Sequence, residues 1–270
     1  MRVRISFLVF GAFLLLSMFS LGRLRAASAP AGQPAADASR TPVLIELFTS
    51  EGCSDCPPAD VLLEKLDRSQ PVDGADLIVL SEHVDYWNDI GWADPYSSHE
   101  YSERQGSYAG RFGLPSVYTP QMVVDGRFQL VGSDERGAIS AIENAKKAET
   151  VHISLSSIRL TGKNAIALHV QSDPLPPSVA QTSADIWIAV ADASDESHVT
   201  RGENGGKTLK HVAVLRGLTR VGSIARSAGF SRDISVDLNH ANSQNLRLVA
   251  FVQQAPAGRV WGVASARYPN

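Results

Sequence analysis

The stretch Val43-Leu44-Ile45-Glu46-Leu47-Phe48-Thr49-Ser50-Glu51-Gly52-Cys53-Ser54-Asp55-Cys56-Pro57-Pro58 constrains this chain more than any other. Val43 to Phe48 is an apolar run of strand length, closed by the polar, glycine-containing segment Thr49–Gly52. After the cysteines, Val61, Leu62, Leu63 and Leu66 recur at helical spacing, so Ala59 to Leu66 is expected to be helical. Pro57 and Pro58 suit the first turn of that helix, where a missing amide hydrogen costs least. A strand therefore delivers the chain's only two cysteines to the start of a helix.

That placement has a chemical logic. Amides at a helix N-terminus and the helix dipole favour a thiolate, and a second thiol one turn along can resolve a mixed disulfide. Cys53 is expected to be the exposed nucleophile and Cys56 the more buried resolving thiol. Asp55, between them, opposes thiolate formation by its charge. A purely structural bridge explains the pair less well, because a loop this short gives a disulfide little entropic advantage.

The N-terminus bears on the redox setting. Arg2 and Arg4 precede the uncharged apolar run Ile5–Leu21, and the small residues Ala26, Ala27, Ser28 and Ala29 follow. This is the layout of an export signal over residues 1–26, the alternative being an uncleaved membrane anchor. Residues 27–40, rich in Ala, Pro and Ser, are expected to be a flexible mature N-terminus. The protein is thus expected in the periplasm or secreted, where thiols tend to be oxidised. With a formal net charge of -3 and basic residues dispersed among acids, nucleic acid is not an expected partner. Membrane contact is expected only through the N-terminal segment.

The remainder divides near residue 150. Residues 41–150 alternate strand and helix. Leu77–Leu80 reads as a buried strand, Glu100 to Phe112 as a helix, and Glu135 to Ala148 as an amphipathic helix. Asp125-Gly126 between apolar runs signals a hairpin. Residues 151–270 carry alternating runs at Val151–Leu155, Ala165–Val170, Ile186–Val190, Val212–Leu215, Ile234–Leu238, Leu246–Val252 and Val260–Ala264. Their number and spacing predict an all-β sandwich of immunoglobulin-like type. Gly202-Glu203-Asn204-Gly205-Gly206-Lys207-Thr208 has one residue too few between its glycines for a phosphate-binding loop and joins strands, so it reads as a loop tip.

The strand, Cys-x-x-Cys and helix, together with Thr119-Pro120 directly before Met122-Val123-Val124, resemble the thioredoxin-like superfamily over roughly residues 42 to 148. The resemblance implies an α/β thioredoxin-like domain, a cis-proline at Pro120 packed against the cysteine pair, and Thr119 beside the substrate. It also implies thiol–disulfide exchange without a dissociable cofactor, on a protein or small-thiol substrate or an electron-transfer partner. A buried acid serving the resolving cysteine would be Glu46. More narrowly, Glu46–Cys53, His83–Trp87 and Tyr118–Met122 are similar to segments of a secreted bacterial family of uncharacterised function, DUF1223.

Further candidates come from position. If the strands ending at Phe48 and near Ser81 are parallel neighbours, His83 and Asp85 emerge beside Cys53. His83 would stabilise the thiolate or move a proton, with Asp85 orienting it. Trp87 and Trp92 would form an apolar rim for substrate. Two rival readings remain: a protein-binding module with a locked bridge, and a copper- or zinc-handling protein using both thiolates and His83. The remaining histidines show no ligand-like spacing, so no metal site is assigned.

Overall fold

The computed structural model describes residues 40–269. The expected export signal and almost all of the expected flexible segment lie outside the described residues. Among those described, no helix is long and apolar enough to cross a membrane.

The Cys-x-x-Cys segment joins β1 (Thr41–Thr49) to α1 (Pro57–Ser69), and β2 (Ala75–His83) returns parallel to β1. Then come α2 (His99–Phe112), β3 (Gln121–Val124), β4 (Phe128–Val131) and α3 (Glu135–Ala145). β3 runs antiparallel to β1, and β4 antiparallel to β3. Asp125 and Gly126 both take positive φ, 49° and 59°, as the hairpin signal requires.

Period-two alternation sorts β1 between two cores. Val43, Ile45 and Leu47 pack with Leu62, Leu63 and Leu66 of α1 and Ala138, Ile142 and Ala145 of α3. On the opposite face, Leu44 packs with Tyr101 of α2, and Phe48 with Tyr108. Both faces being covered, the strand reads as a continuous apolar run.

The second half supplies β5 (Ile153–Thr161), β6 (Ala165–Ser172), β7 (Ser183–His198), β8 (Thr208–Ala225), β9 (Phe230–Asp237), β10 (Leu246–Gln253) and β11 (Val260–Tyr268). A strand stands at each of the alternating runs. Their assembly differs from a separate sandwich. β8, 18 residues long, pairs with β7 along its length and meets β2 in parallel at Ser81↔Val214. One eight-stranded sheet results, in the order β11-β10-β7-β8-β2-β1-β3-β4. The three-stranded sheet β5-β6-β9 packs on its β7/β10 end through Ile166, Leu168, Val170, Ile186, Ile188 and Leu248. Sequence position 150 therefore does not divide the sheet, and the described residues belong to one compact unit.

Candidate functional site

β1 ends by presenting Thr49 and Ser50, and Ser50 organises the turn that follows. Its Oγ accepts from the Gly52 amide at 3.1 Å, and its carbonyl accepts from the Cys53 amide at 3.2 Å. Gly52 is confined, since a Cβ there would lie 3.2 Å from Trp87 Cβ. Cys56 is the N-cap of α1, and its carbonyl accepts from the amides of Ala59 and Asp60. Cys53 and Cys56 are joined as a disulfide with Cα atoms 5.5 Å apart. Cys53 Sγ lies 4.0 Å from the Thr119 carbonyl, the Thr119–Pro120 bond is cis, and Trp87 Nε1 donates to Thr119 Oγ1 at 2.8 Å. The structure thus gathers Cys53, Cys56, Thr119 and Pro120, with Trp87 fastened to the proline loop.

Cys53 is not the exposed sulfur expected from its place before the helix. It is 1% exposed and Cys56 is fully buried. The cover comes from the distant second half. Past Asp192, where its pairing with β10 ends, β7 continues with β8 as a two-stranded arm from Ser194↔Val212 to His198↔Thr208. The arm tip, residues 199–207, sits on the cysteine turn. Asn204, itself buried, donates from Nδ2 to the carbonyls of Glu51 and Cys53, both at 2.9 Å. Glu203 Oε2 accepts from the Ser54 amide at 3.0 Å. Gly202, at φ 72°, passes so close to the 91–92 segment that a Cβ would lie 3.1 Å from Trp92 Cβ.

Beneath this turn lies a buried cluster of acids and imidazoles. His83 Nδ1 is 2.7 Å from Asp94 Oδ2, which also accepts from the Glu51 amide. Glu51 Oε1 is 3.3 Å from His211 Nε2, while its Oε2 accepts from Trp92 Nε1 at 2.7 Å and Ser197 Oγ at 3.2 Å. On its other side His211 Nδ1 is 3.8 Å from Asp60 Oδ1, and the His83 and His211 rings meet edge to face at 4.7 Å. Asp60 lies one turn along α1 from Cys56, on the same helix face. Burial disfavours an imidazolium at His211, but Asp60 and Glu51 outweigh it and push its pKa up to about 10. Burial likewise opposes charge on Asp94, yet His83 and the amides of Glu51 and Tyr96 hold its carboxyl below the usual range.

Three assignments move. The carboxylate that orients His83 is Asp94, not Asp85. Asp85 instead accepts from Ser102 Oγ and lies 3.1 Å from His99 Nδ1, because the chain turns outward after His83. Glu46 occupies the face of β1 away from α1, as its register requires. Its partners are Arg104 Nε at 2.7 Å and Tyr108 Oη at 2.5 Å, with Glu82 3.6 Å from the same arginine. Burial, then the neighbouring Glu46, raise the Glu82 pKa well above the usual carboxylate range. Trp92 does not rim an open groove. Its indole is bound to Glu51 under the arm tip.

Sequence reading missed Glu51, Asp60, Asp94, Asn204 and His211. Glu51 lies inside the quoted motif, and the glycines around Asn204 mark a tight loop, but neither signal says what the loop touches. Two clefts lie elsewhere. One of about 410 Å³ runs between α2 and Trp187, Leu218 and Pro256. Among the described residues, no three His, Cys, Asp or Glu side chains are arranged to hold a metal ion.

Among solved structures, a structural-genomics target protein from Agrobacterium tumefaciens is 26% identical, at a TM-score of 0.64, covering 84% of this chain and 94% of its own. HBP35 of Porphyromonas gingivalis is 14% identical, at a TM-score of 0.59, covering 84% of this chain and 75% of its own, a likeness of fold alone. No curated protein matches. Residues 44–253 match the family described as Protein of unknown function (DUF1223), and the chain belongs to that family.

Proposed function

We propose that the protein is an exported thiol–disulfide exchange protein acting through Cys53 and Cys56. The observation that carries this reading is the position of Cys53 Sγ, 4.0 Å from the carbonyl that precedes cis-Pro120, with Cys56 capping α1. The order β2-β1-β3-β4, with α1 and α3 on one face and α2 on the other, supports a thioredoxin-like core within the larger sheet. The charged, apolar and small-residue pattern of residues 1–29 supports export.

In the reduced protein the Cys53 thiolate attacks one sulfur of a substrate disulfide. A mixed disulfide forms and one substrate thiolate leaves. The Cys56 thiolate then attacks Cys53 Sγ, closing the observed bridge and releasing the second substrate thiolate. The substrate gains two electrons and the pair loses two; the reverse sequence oxidises a substrate dithiol. The electron partner is another dithiol or disulfide. We assign the proton of the resolving thiol to Asp60, one turn along α1 from Cys56 and 3.8 Å from His211 Nδ1.

Titration of the purified protein against glutathione or dithiothreitol redox buffers tests this. A reversible potential between about -120 and -270 mV, with turnover of insulin disulfides, is expected; a bridge still oxidised below about -300 mV behaves as a structural one and overturns the reading. The burial of both cysteines favours a second reading, a locked bridge in a binding module, and that result would select it.

A further inference from the structure

The arm tip engages three main-chain groups of the cysteine turn: the carbonyls of Glu51 and Cys53, which accept from Asn204 Nδ2, and the Ser54 amide, which donates to Glu203 Oε2; the Cys53 carbonyl also accepts from the Cys56 amide at 3.3 Å. A side-chain carboxamide has the hydrogen-bonding groups of a peptide unit. Asn204 therefore offers this turn what a neighbouring extended strand would offer it through its own backbone. The contact is built rather than incidental. Lys207 Nζ donates to Asn204 Oδ1 at 2.8 Å, and the tip is folded on itself by Gly205 N to Gly202 O and Gly206 N to Val199 O. The arm is anchored below by the buried Glu51–His211 pair and the Ser197–Glu51 bond. Lifting the tip would break its contacts to the cysteine turn and leave these anchors in place.

We infer that the tip of the β7–β8 arm is a tethered competitor for substrate. Asn204 and Glu203 occupy the main-chain positions at which an extended, cysteine-containing peptide docks beside Cys53, and such a peptide must displace them to react. This rests on the exchange reading and narrows its substrate to unfolded or extended polypeptide. Because the competitor is part of the chain, it acts at an effective concentration in the millimolar range. A peptide offering few main-chain contacts is excluded by that competition, whereas one able to replace all of them is admitted. A very small thiol, which makes no main-chain contacts, competes for none of these positions.

The test uses the full mature chain, chemically reduced, in wild-type and Asn204→Ala forms. Alkylation of Cys53 by a 5-kDa polyethylene-glycol maleimide is expected to rise roughly tenfold or more in Asn204→Ala, as two hydrogen bonds are lost. Alkylation by iodoacetamide is expected to change far less. Equal acceleration of both reagents, or of neither, overturns the inference.

A second measurement needs no cap variant. In Cys56→Ser, Cys53 is converted to a mixed disulfide with either 2-mercaptoethanol or an extended cysteine peptide of about ten residues. Amide exchange at residues 199–207 is expected to speed up with the peptide and to stay slow with mercaptoethanol. Unchanged protection with the peptide attached overturns the inference. Both experiments begin from chemically reduced or chemically loaded protein. They can therefore succeed even if the redox titration finds an inert bridge, and fail even if it finds an active one.

Discussion

His211 on β8 lies 3.3 Å from the carboxylate of Glu51, two residues before Cys53, although 160 residues separate the two in sequence. Both side chains are buried, so this contact fastens the second half of the chain to the cysteine turn inside the protein rather than across its surface. Its energetic signature is pH dependence. The His211 pKa stands at about 10 in the folded protein against an ordinary 6.5. A raised folded pKa contributes stability fully present below about pH 6.5 and lost as pH climbs through 10. Asp125 acts in the same direction at lower pH. Burial, partly offset by the Leu44 amide, lifts its pKa to about 7 from 3.8, so its contribution falls as pH rises across that interval. Urea midpoints measured from pH 6 to pH 9.5 should therefore fall steadily, and His211→Gln should flatten the upper part of that fall. A midpoint that holds constant or rises would show that His211 is not the buried cation between Glu51 and Asp60.

The Glu46–Arg104 pair makes a contrasting prediction. Arg104 is the cation facing Glu46 and Glu82, and all three side chains are buried or nearly so. Arg104→Met strands Glu46 without its counter-charge, a class of change that costs about 3–5 kcal/mol. Glu46→Gln should cost less, because the Tyr108 hydroxyl keeps a neutral acceptor. Chemical denaturation of both variants and of the double variant checks this; the double should recover part of the loss. The redox potential of Glu46→Gln should match that of the parent. A shifted potential or altered pH profile of exchange would return Glu46 to the role expected from sequence.

These two clusters show where sequence reading reached and where it stopped. The strands were legible because each face of the sheet is buried by a different partner, which leaves period-two or continuous apolar runs. Thr119-Pro120 was legible as a companion of the cysteines only through the thioredoxin-like resemblance; the structure seats it there because it directly precedes β3, which pairs with β1. Asp94 and Asp85 are both acids in one polar segment after β2, and only the path of that loop decides which faces His83. Asn204 and His211 reach the cysteine turn because the β7–β8 hairpin, formed within the second half, pairs through β8 with β2 of the first. A pattern within either half cannot encode that pairing. The same join makes one sheet of what composition divides into an α/β half and a β half.

Breaking the disulfide should alter stability only modestly. The Cys53–Cys56 loop is among the shortest a bridge can close, and the chain-entropy model gives such a loop roughly 2 kcal/mol or less. Denaturation with and without a strong reductant should differ by about that amount. A loss well beyond it would mark the bridge as a staple on which the turn, and with it the arm contact, depends.

Gly132 tests how tightly the proline loop is packed against the cysteine helix. A Cβ there would lie 2.7 Å from Leu47 Cδ1, 2.9 Å from Pro120 Cβ and 3.1 Å from Ala59 Cβ. The leucine methyl is the end of a flexible side chain and can yield. Pro120 is fixed by its ring and by the bond its carbonyl accepts from the Gly132 amide at 2.9 Å, and Ala59 belongs to the first turn of α1. Gly132→Ala should therefore destabilise by about 1–3 kcal/mol, the usual cost of overpacking. It should also push Pro120 and α1 apart, and so change the rate of thiol exchange at Cys53 more than a remote change of equal energetic cost. Gly162→Ala serves as the remote comparison, since its φ of 72° makes it strained although no atom lies within 4 Å of the added Cβ. Denaturation of both variants, paired with exchange rates against dithiothreitol, reads the two effects together. Equal exchange rates in the two variants at similar stability loss would show that packing between Pro120 and α1 does not govern the reactivity of the cysteine pair.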